Sequence, residues 1–327
     1  MSYELSIVIP CFNSSNYVDR ALDILLNKQG IHKQISVEII IVDDGSEIPY
    51  SLPSNIHYQS IKVLRQENTG VSAARNLGIN NASGEYILFH DSDDDYNDET
   101  WIFFAKLNKL NDIYFFNLRT ITYNDSVIKS YNIKKKDITK TDGCNMLRLM
   151  FEKKINLNIC AGFYRLETLR KKNVLFNESL HHCEDIAFII DALCASQSVS
   201  YDSIMGFNYR KRAGSAVNSP LDLKHLTKIH GLKKLAGNEF LGRNVLVNKF
   251  NFFFATIYIL MFLSLIKNKA KSTAVIDELL RHDIILKSKI EYPFNKFGLY
   301  TFILIKTYRL MPKKTLSNLF KMKFVKV

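Results

Sequence analysis

The segment Tyr86–Asp95, with the sequence YILFHDSDDD, decides the fold class of this chain. Its first four residues are aromatic or aliphatic, as in a buried strand, and the turn-forming residues Ala82-Ser83-Gly84 precede it. Polar residues follow at once, and four of them are aspartates. A strand that ends in carboxylates is typical of the edge of an α/β sheet where ligands bind.

Strands and helices alternate before this segment. Short apolar runs predict the strands, and apolar residues at helical spacing predict the helices. The alternation predicts an α/β fold with a doubly wound, Rossmann-like and mostly parallel sheet. The predicted elements are strand Leu5–Pro10, a helix containing Val18–Leu26, strands Val37–Val42 and Ile61–Leu64, and helix Val71–Ile79.

The later part of the chain has a mixed pattern. Apolar runs predict strands at Ile113–Arg119, Thr120–Ser130 and Val199–Arg210, and helical spacing predicts helices at Cys144–Phe151 and Asp185–Cys194. From residue 221 onwards the chain holds 20 Lys/Arg and 6 Asp/Glu. We therefore predict a catalytic domain over residues 1–219 and a basic, amphipathic, helical C-terminal region over residues 220–327.

Charge is distributed unevenly along the chain. The net charge is +12, but residues 1–130 hold 10 Lys/Arg and 17 Asp/Glu, whereas residues 131–327 hold 34 and 15. An acidic part attracts cations and a basic part attracts phosphate groups. This division favours a metal-binding catalytic part joined to an anion-docking or membrane-docking part, and it does not favour a nucleic-acid partner.

The N-terminus and the cysteines indicate the compartment. Glu4 precedes a short apolar run, whereas a signal peptide has a basic segment before a longer one. The five cysteines are scattered and form no C-x-x-C pair, so they predict neither a disulfide framework nor a zinc ribbon. We expect a cytoplasmic protein in a reducing environment.

Asp91-Ser92-Asp93 is the first candidate site. Alternate carboxylates at a strand end provide hard oxygen ligands for Mg²⁺ or Mn²⁺, and such a cation bridges the oxygens of a diphosphate. The alternative is a solvated acidic turn, because aspartate favours turns and helix starts.

Five ordered segments resemble family 2 of the glycosyltransferases, whose nucleotide-sugar domain has the α/β fold called GT-A. The resemblance covers about residues 4–215. The segments are Ile7–Asn13, Ile41–Ser46, Asn68–Asn76, Tyr86–Asp95 and Glu184-Asp185.

The resemblance implies a donor site for a UDP-sugar. In it, Pro10 and Asn13 border the nucleotide pocket, Asp44 contacts the base or ribose, and Arg75 lies near the base. Asp91 approaches the ribose, with Ser92 beside it, and Asp93 coordinates a divalent metal, Mn²⁺ or Mg²⁺. For Arg75 the alternative interpretation is a surface ion pair.

Glu184-Asp185, at a predicted helix start, is the second candidate site. The resemblance makes Asp185 the general base that takes the proton of an acceptor hydroxyl in an inverting transfer. The alternative is a helix N-terminus with an acid stabilised by the helix dipole.

The resemblance to this family also implies a substrate class. It implies transfer of a hexose or N-acetylhexosamine to a saccharide acceptor in surface polysaccharide or lipopolysaccharide assembly, such as O-antigen or capsule.

Two other function classes stay open. A Mg²⁺-dependent phosphohydrolase also uses an acidic strand end, but we find no partner Thr/Ser and Lys segments for it. A noncatalytic sugar-nucleotide-binding protein would bind UDP without turnover. The chain has no G-x-G-x-x-G after its first strand and no G-x-x-x-x-G-K-[ST], so dinucleotide and P-loop chemistries are not expected.

Two further segments have alternative interpretations. His181-His182-Cys183 offers zinc-binding residue types, but adjacent residues rarely converge on one metal, so a loop or an acceptor contact is favoured. Tyr209–Ser215 is basic and contains glycine, and it is either a segment that closes over the diphosphate or a basic surface loop.

The C-terminal region suggests contact with a membrane. Residues 250–266 form an uncharged run of 17 residues, which favours a buried or interfacial helix over a spanning one, and Phe297–Ile305 is too short to span. Lysines and apolar residues alternate after Lys306. We expect peripheral attachment to the cytoplasmic face of the inner membrane, where the acceptor would be a lipid-linked saccharide.

Overall fold

A computed structural model describes most of the chain, and its residues divide into two compact units. The first unit comprises Met1–Met146, Asn156–Ser179 and Glu184–Arg212, and the second comprises Leu147–Ile155, Leu180–Cys183 and Ala213–Val327. The boundary predicted near residues 219–220 lies outside the described residues. Those described are residues 3–56, 58–122, 124–131, 138–180, 182–211, 227–236, 241, 246–267, 279, 281, 286, 288–294 and 296–310.

The first unit contains one sheet. Its strands are β1 (Tyr3–Cys11), β2 (Val37–Asp43), β3 (Ile61–Arg65), β4 (Gly84–Phe89), β5 (Asp95–Tyr96), β6 (Ile113–Ile121), β7 (Val127–Tyr131), β8 (Ile138–Thr141), β9 (Gly162–Arg165) and β10 (Val199–Arg210). The strand order is β3-β2-β1-β4-β9-β6-β10-β5, with β7 paired to β6 and β8 paired to β10.

The longest ladders of the sheet are parallel, as the sequence predicted. They join β1 to β2, β1 to β4, β2 to β3, and β6 to β10. Shorter antiparallel ladders attach β9 to both β4 and β6. Every residue of β2 is buried, as is typical of a parallel strand covered on both faces by helices.

Nine helices lie within the described residues. The six in the first two-thirds of the chain are α1 (Ser15–Leu22), α2 (Val71–Asn81), α3 (Asp98–Ala105), α4 (Gly143–Phe151), α5 (Leu166–Lys171) and α6 (Glu184–Ala195). A π-helical turn, Asp23–Lys28, continues α1. The remaining three are α7 (Thr227–Ala236), α8 (Val247–Lys267) and α9 (Lys296–Leu310).

The strand prediction was wrong between β6 and β7. The predicted strand Thr120–Ser130 is interrupted by a turn in which Asp125 has a φ of 62° and the Thr122 N–H donates to the Ser126 carbonyl. Asparagine, aspartate and serine at 124–126 favour turns because their side chains bond to nearby backbone. The structure also contains β5, β8, β9, α3 and α5, which the sequence pattern did not predict.

An aromatic cluster fixes α6 against the sheet in the first unit. Phe188 of α6 stacks on Phe176 with ring centroids 4.1 Å apart, and both rings contact Phe89 at the end of β4. Tyr164 of β9 packs edge-on against Phe188 and is fully buried. Buried aromatic pairs of this kind stabilise a core beyond the area they bury. The start of α6 is thereby held by the same cluster that packs on the last residue of β4.

The second unit has its own apolar core. In α8 the buried side chains include Phe250, Phe252, Phe253 and Phe254, which agrees with the interpretation of this run as a buried helix. Both α7 and α9 pack against α8. The Lys249 ammonium lies 3.0 Å from the buried Glu152 carboxylate. Among the helices that the structure describes, none combines the length and the apolar character required to cross a bilayer.

Candidate active site

The carboxyl ends of three adjacent strands form the candidate donor site. In the sheet, Cys11 of β1 pairs with Asp43 of β2, and Val8 of β1 pairs with Phe89 of β4. The chain segments that follow β1, β2 and β4 therefore leave the sheet at the same edge. Ligands of open α/β sheets bind at this edge. Of the donor-side residues predicted from the sequence, Arg75 lies on α2, which follows β3, and the others lie on β1 or directly follow β1, β2 and β4.

Asn13 lines a cleft at this edge. The cleft has a volume of about 430 Å³, and its walls come from the start of α1 and from Glu47 and Ile48 after β2. Asn13 has a φ of 49°, its N–H donates to Ser46 Oγ, and its Oδ1 accepts from the Glu47 N–H. These bonds hold the two loops together. Pro10 is half-buried and is the penultimate residue of β1, which precedes the first of these loops.

Asp44 is buried and holds the loop that leads into α2. Its Oδ1 accepts hydrogen bonds from the Thr69 N–H and Gln66 Nε2, and its Oδ2 accepts one from the Gly70 N–H, all within 2.8–2.9 Å. The adjacent Gly45 has a φ of 75°, which favours glycine. Asp44 thus fixes the position of one wall of the site.

Arg75 connects the two candidate sites that the sequence suggested. Its Nη2 donates to Asp91 Oδ1 at 2.7 Å, and its Nη1 lies 3.8 Å from Glu184 Oε1. Asp91 follows β4 and Glu184 begins α6, so a carboxylate from each candidate site faces the same guanidinium. The structure therefore brings the donor-side and acceptor-side residues together through Arg75.

The surface interpretation of Arg75 was wrong. Its side chain is 5% exposed, and its guanidinium lies 5.2 Å from the centre of the Phe176 ring. Nε and Nη1 are buried and have no hydrogen-bond partner among the described residues. Burial disfavours ionisation of Asp91, but the charge of Arg75 outweighs it and holds the pKa of Asp91 below its usual value. The pair is thus ionised.

Glu184 and Asp185 occupy the first turn of α6. Asp185 is half-buried, and its Oδ1 accepts a hydrogen bond from the Ile186 N–H at 2.7 Å, as an acid at a helix start does. Burial and the adjacent Asp185 carboxylate raise the pKa of Glu184 to about 7. Two neighbouring carboxylates in different environments are typical of sites that transfer protons.

Residues 90–95 follow β4, and we call them the acidic loop. Two arginines hold its far end. Arg20 of α1 donates to both oxygens of Asp95, at 2.7 and 2.8 Å, and the guanidinium of Arg210, at the end of β10, donates to Asp95 Oδ2 as well. The Arg210 N–H donates to Asp94 Oδ1 at 2.7 Å. The carboxylates at both ends of the acidic loop are thus bound by arginines: Asp91 by Arg75, and Asp95 by Arg20 and Arg210.

This arrangement corrects the prediction for Tyr209–Ser215. Tyr209 and Arg210 belong to β10, and Arg210 is buried and paired with Asp95 and Asp125, so these two residues form neither a surface loop nor a segment that closes over a diphosphate. Residues 212–215 lie outside the described residues, as does His181.

Asp93 is the residue that the sequence predicts as the metal ligand, and Ser92 beside it is buried. Burial and the carboxylates of Asp91 and Asp93 raise the pKa of Asp94 well above its usual value, which shows a concentrated negative potential in the loop. The part of the chain described contains no group of three or more His, Cys, Asp or Glu arranged to hold a metal. Mg²⁺ commonly uses one or two carboxylates together with substrate phosphates, so the half-exposed Asp93 fits such a role.

Sequence reasoning missed Arg20 and Tyr164, and it did not predict that Arg210 pairs with Asp95. Arg210 pairs with Asp95 across 115 residues, and no short-range pattern indicates such a contact. Tyr164 is fully buried beside Asp185 and Arg75, and its hydroxyl has no hydrogen-bond partner among the described residues. Arg20 does not belong to the buried apolar face of α1, so the helical pattern indicates only a surface position for it.

Comparison with known proteins identifies the family. The family model described as "Glycosyl transferase family 2" matches residues 6–167, which include most of β1 together with β2, α2 and the acidic loop. Residues 6–167 of this chain belong to glycosyltransferase family 2. Among curated proteins, the minor teichoic acid biosynthesis protein GgaA of Bacillus subtilis is 32% identical over 225 residues, which are 63% of this chain and 47% of GgaA.

Two other comparisons concern a second curated relative and a solved structure with the same fold. The poly(ribitol-phosphate) beta-glucosyltransferase of Bacillus spizizenii is 28% identical over 214 residues, which are 63% of this chain and 32% of that enzyme. Residues 1–349 of S. aureus TarS, solved in complex with UDP-GlcNAc, share the fold with a TM-score of 0.60 and 19% identity, over 94% of this chain and 91% of that one. The chain spans less than half the length of both curated relatives.

Proposed function

We propose that the protein is an inverting glycosyltransferase that transfers a hexose or N-acetylhexosamine from a UDP-sugar to a saccharide acceptor. The observation that carries this proposal is the position of Arg75 between Asp91, at the donor edge of the sheet, and Glu184, beside Asp185. A transferase must hold its donor and the base that acts on the acceptor in a fixed position relative to each other. Family membership and the UDP-GlcNAc bound to the structurally similar TarS support a UDP-sugar donor.

On the acceptor side, Asp185 is the proposed general base. Oδ1 is held by the Ile186 N–H, and we assign Oδ2 to the acceptor hydroxyl. As the acceptor oxygen bonds to the anomeric carbon, the bond from that carbon to the phosphate oxygen breaks, UDP leaves with the electron pair, and the acceptor proton passes to Asp185. Attack opposite the leaving group inverts the configuration of the anomeric carbon. General base catalysis of this kind contributes about 10²–10⁴-fold.

On the donor side, Asn13 and Asp44 shape the nucleotide wall, and Asp91 and Arg75 present one ion pair at the sheet edge. We assign a divalent cation, Mn²⁺ or Mg²⁺, to Asp93. When bound, it would neutralise charge on the leaving diphosphate. Ion pairs with arginines hold Asp91 and Asp95, on either side of Asp93, and so restrict the position of the Asp93 backbone.

The acceptor is proposed to be a growing cell-surface polymer. The names of GgaA and of the poly(ribitol-phosphate) beta-glucosyltransferase support a surface-polymer acceptor. We retain lipid-linked saccharides of polysaccharide or lipopolysaccharide assembly, such as O-antigen or capsule, as the substrate class. We also propose that the protein works peripherally at the cytoplasmic face of the membrane, through residues after 220.

UDP release tests the proposed function directly. The protein is incubated with Mn²⁺ and a panel of UDP-sugars, with and without saccharide acceptors, and the anomeric configuration of the product is read by NMR. Asp185→Asn should abolish transfer, whereas the control Asp191→Asn, on the same helix, should not. Acceptor-dependent transfer by Asp185→Asn would remove Asp185 from the mechanism. UDP binding by the wild-type protein without turnover on any acceptor would indicate a noncatalytic protein.

A further inference from the structure

Helix α9 (Lys296–Leu310) has an ordinary buried face. Gly298, Thr301, Ile305 and Tyr308 recur at helical spacing and are buried, with Thr301 2% and Ile305 0% exposed. Tyr308 contacts Tyr258 of α8, with ring centroids 6.3 Å apart. On a helix packed in this way, the opposite face is normally polar.

The opposite face of α9 is apolar instead. Leu299, Ile303 and Leu310 are 61%, 53% and 83% exposed. With Lys306 they follow the spacing i, i+4, i+7 and i+11, so they form one stripe on the side away from the buried residues. The stripe rises about 16 Å along the helix at 1.5 Å per residue. We call these four residues the outer stripe.

The surroundings of the outer stripe are aromatic and cationic. Tyr300 flanks it with 52% exposure, and Phe294 projects fully into solvent just before α9. Lys306 lies 5.6 Å from the centre of the Phe302 ring, so its stem runs along apolar surface. Residues 296–327 contain eight Lys/Arg and no Asp/Glu. An exposed apolar stripe with cations and no acids matches an anionic apolar surface.

We propose that the outer stripe of α9 docks on an anionic lipid bilayer, with the helix lying flat in the headgroup region. A second copy of the chain fits less well, because the outer stripe contains the cation Lys306 and no acid, so two stripes packed together would offer neither lysine an opposite charge within the contact. The inference rests on the proposed function in one respect only, since a lipid-linked acceptor gives the docking its purpose.

Vesicle binding by the full chain tests the inference. Partition is measured by cosedimentation with vesicles of phosphatidylglycerol and phosphatidylcholine, and with vesicles of phosphatidylcholine alone. We expect at least about tenfold stronger partition to the anionic vesicles, falling as salt rises. Leu299→Glu/Ile303→Glu should weaken that partition at least about tenfold. The control Leu110→Glu/Val127→Glu changes two exposed apolar residues of the first unit by the same charge and should leave it unchanged.

The neutral pair Leu299→Gln/Ile303→Gln keeps the net charge and should also weaken the partition, which separates apolar insertion from charge. Circular dichroism checks that each variant is folded. Partition that is equal for the variant and control pairs, or equal on both kinds of vesicle, would overturn the inference. So would a dimer in solution that Leu299→Glu/Ile303→Glu dissociates, because the stripe would then bind a second copy.

Activity on a water-soluble acceptor keeps the two proposals apart. Leu299→Glu/Ile303→Glu should release UDP at the wild-type rate with that acceptor. If vesicle binding is intact but transfer is absent from all acceptors, the proposed function fails and the docking surface stands. If transfer is intact but the anionic vesicles are not bound, the docking surface fails alone.

Discussion

Nη2 of Arg75 lies 2.7 Å from Oδ1 of Asp91, in an ion pair whose arginine is buried and whose carboxylate is partly open to solvent. The side-chain exposures are 5% and 35%. A buried guanidinium is costly unless it is paired, so Arg75 depends on Asp91 and, at 3.8 Å, on Glu184. A substitution at Arg75 should therefore disturb the residues that follow β4 and those that begin α6.

Arg75→Met tests this dependence. The variant keeps a long apolar stem on Phe176 but leaves Asp91 and Glu184 without a counter-charge, so unfolding in urea should show a loss of about 3 kcal/mol. UDP release at a temperature where the variant is folded should fall at least about 100-fold, because both carboxylates lose their position.

The matched control is Arg170→Met. Arg170 donates to the carbonyls of Ile79 and Ala82 at the end of α2, at 2.7 Å each, and touches none of the site carboxylates. It should lower stability without lowering transfer by the folded protein. If both variants lose activity in proportion to stability, the link through Arg75 is structural only.

Glu184→Gln should change how stability depends on pH. The pKa of Glu184 rises from the ordinary 4.5 to about 7 in the folded protein, so the fold disfavours the ionised form. Stability associated with protonated Glu184 is complete below pH 4.5 and is lost as pH rises through 7, by about 3 kcal/mol in total. Glutamine cannot ionise, so the variant should gain stability relative to the wild type between pH 4.5 and 7.5 in urea titrations.

Glu167→Gln is the control for this pH dependence. A hydrogen bond from Lys171 lowers the pKa of Glu167, so that residue contributes stability that appears as pH rises. Its substitution should shift relative stability in the opposite direction. A pH-independent difference between Glu184→Gln and the wild type would contradict the raised pKa.

The sequence predicted the elements of the site more accurately than their contacts. Local apolar patterns predict strand ends at Val42 and Phe89 and a helix start at Asp185, and the observed bounds are Asp43, Phe89 and Glu184. These patterns place the carboxylates directly after strands or at a helix start. The burial of Arg75 could not be predicted, because α2 has a weak apolar bias and its covering residue, Phe176, is about 100 residues away.

The antiparallel additions to the sheet were also beyond the pattern. β5 has two residues and β9 has four, too few for a period-2 signal, and both are defined by their partners in the sheet. Long-range pairs such as Arg210 with Asp95 follow from that topology and not from spacing. The roles of the individual site residues stay predictions until the variants are measured.

Arg210→Met should cost more stability than Arg20→Met. Both arginines bind Asp95, but the Arg210 side chain is 9% exposed and that of Arg20 is 36% exposed. Screening by solvent reduces the contribution of the Arg20 pair to about 1 kcal/mol or less, whereas loss of the buried partner should cost about 3 kcal/mol. Urea unfolding of the two single variants measures the difference, and equal losses would contradict the assigned burial.

Gly45→Ala should destabilise the Asp44 loop more than Gly70→Ala does. Both glycines have a positive φ, 75° and 101°, so each substitution introduces backbone strain of about 1 kcal/mol or more. A Cβ on Gly45 would lie 2.6 Å from the Asn68 nitrogen, while a Cβ on Gly70 meets nothing within 4 Å. Thermal unfolding of the two variants tests this order. UDP affinity should follow the same order, since Asp44 holds the loop that we propose as one wall of the nucleotide pocket.

Asp93→Asn should remove metal-dependent UDP binding while the fold is retained. Asp93 is half-exposed in the acidic loop between Asp91 and Asp94, and it is the carboxylate that we assign to the cation. Isothermal titration with UDP in Mn²⁺ and in EDTA measures the metal-dependent part of the affinity, which should fall at least about tenfold in Asp93→Asn. Asp98→Asn, an exposed acid in the first turn of α3, carries the same charge change and should bind as the wild type does. If Asp93→Asn keeps its metal dependence, the cation is held elsewhere and the donor site must be reassigned around Asp94.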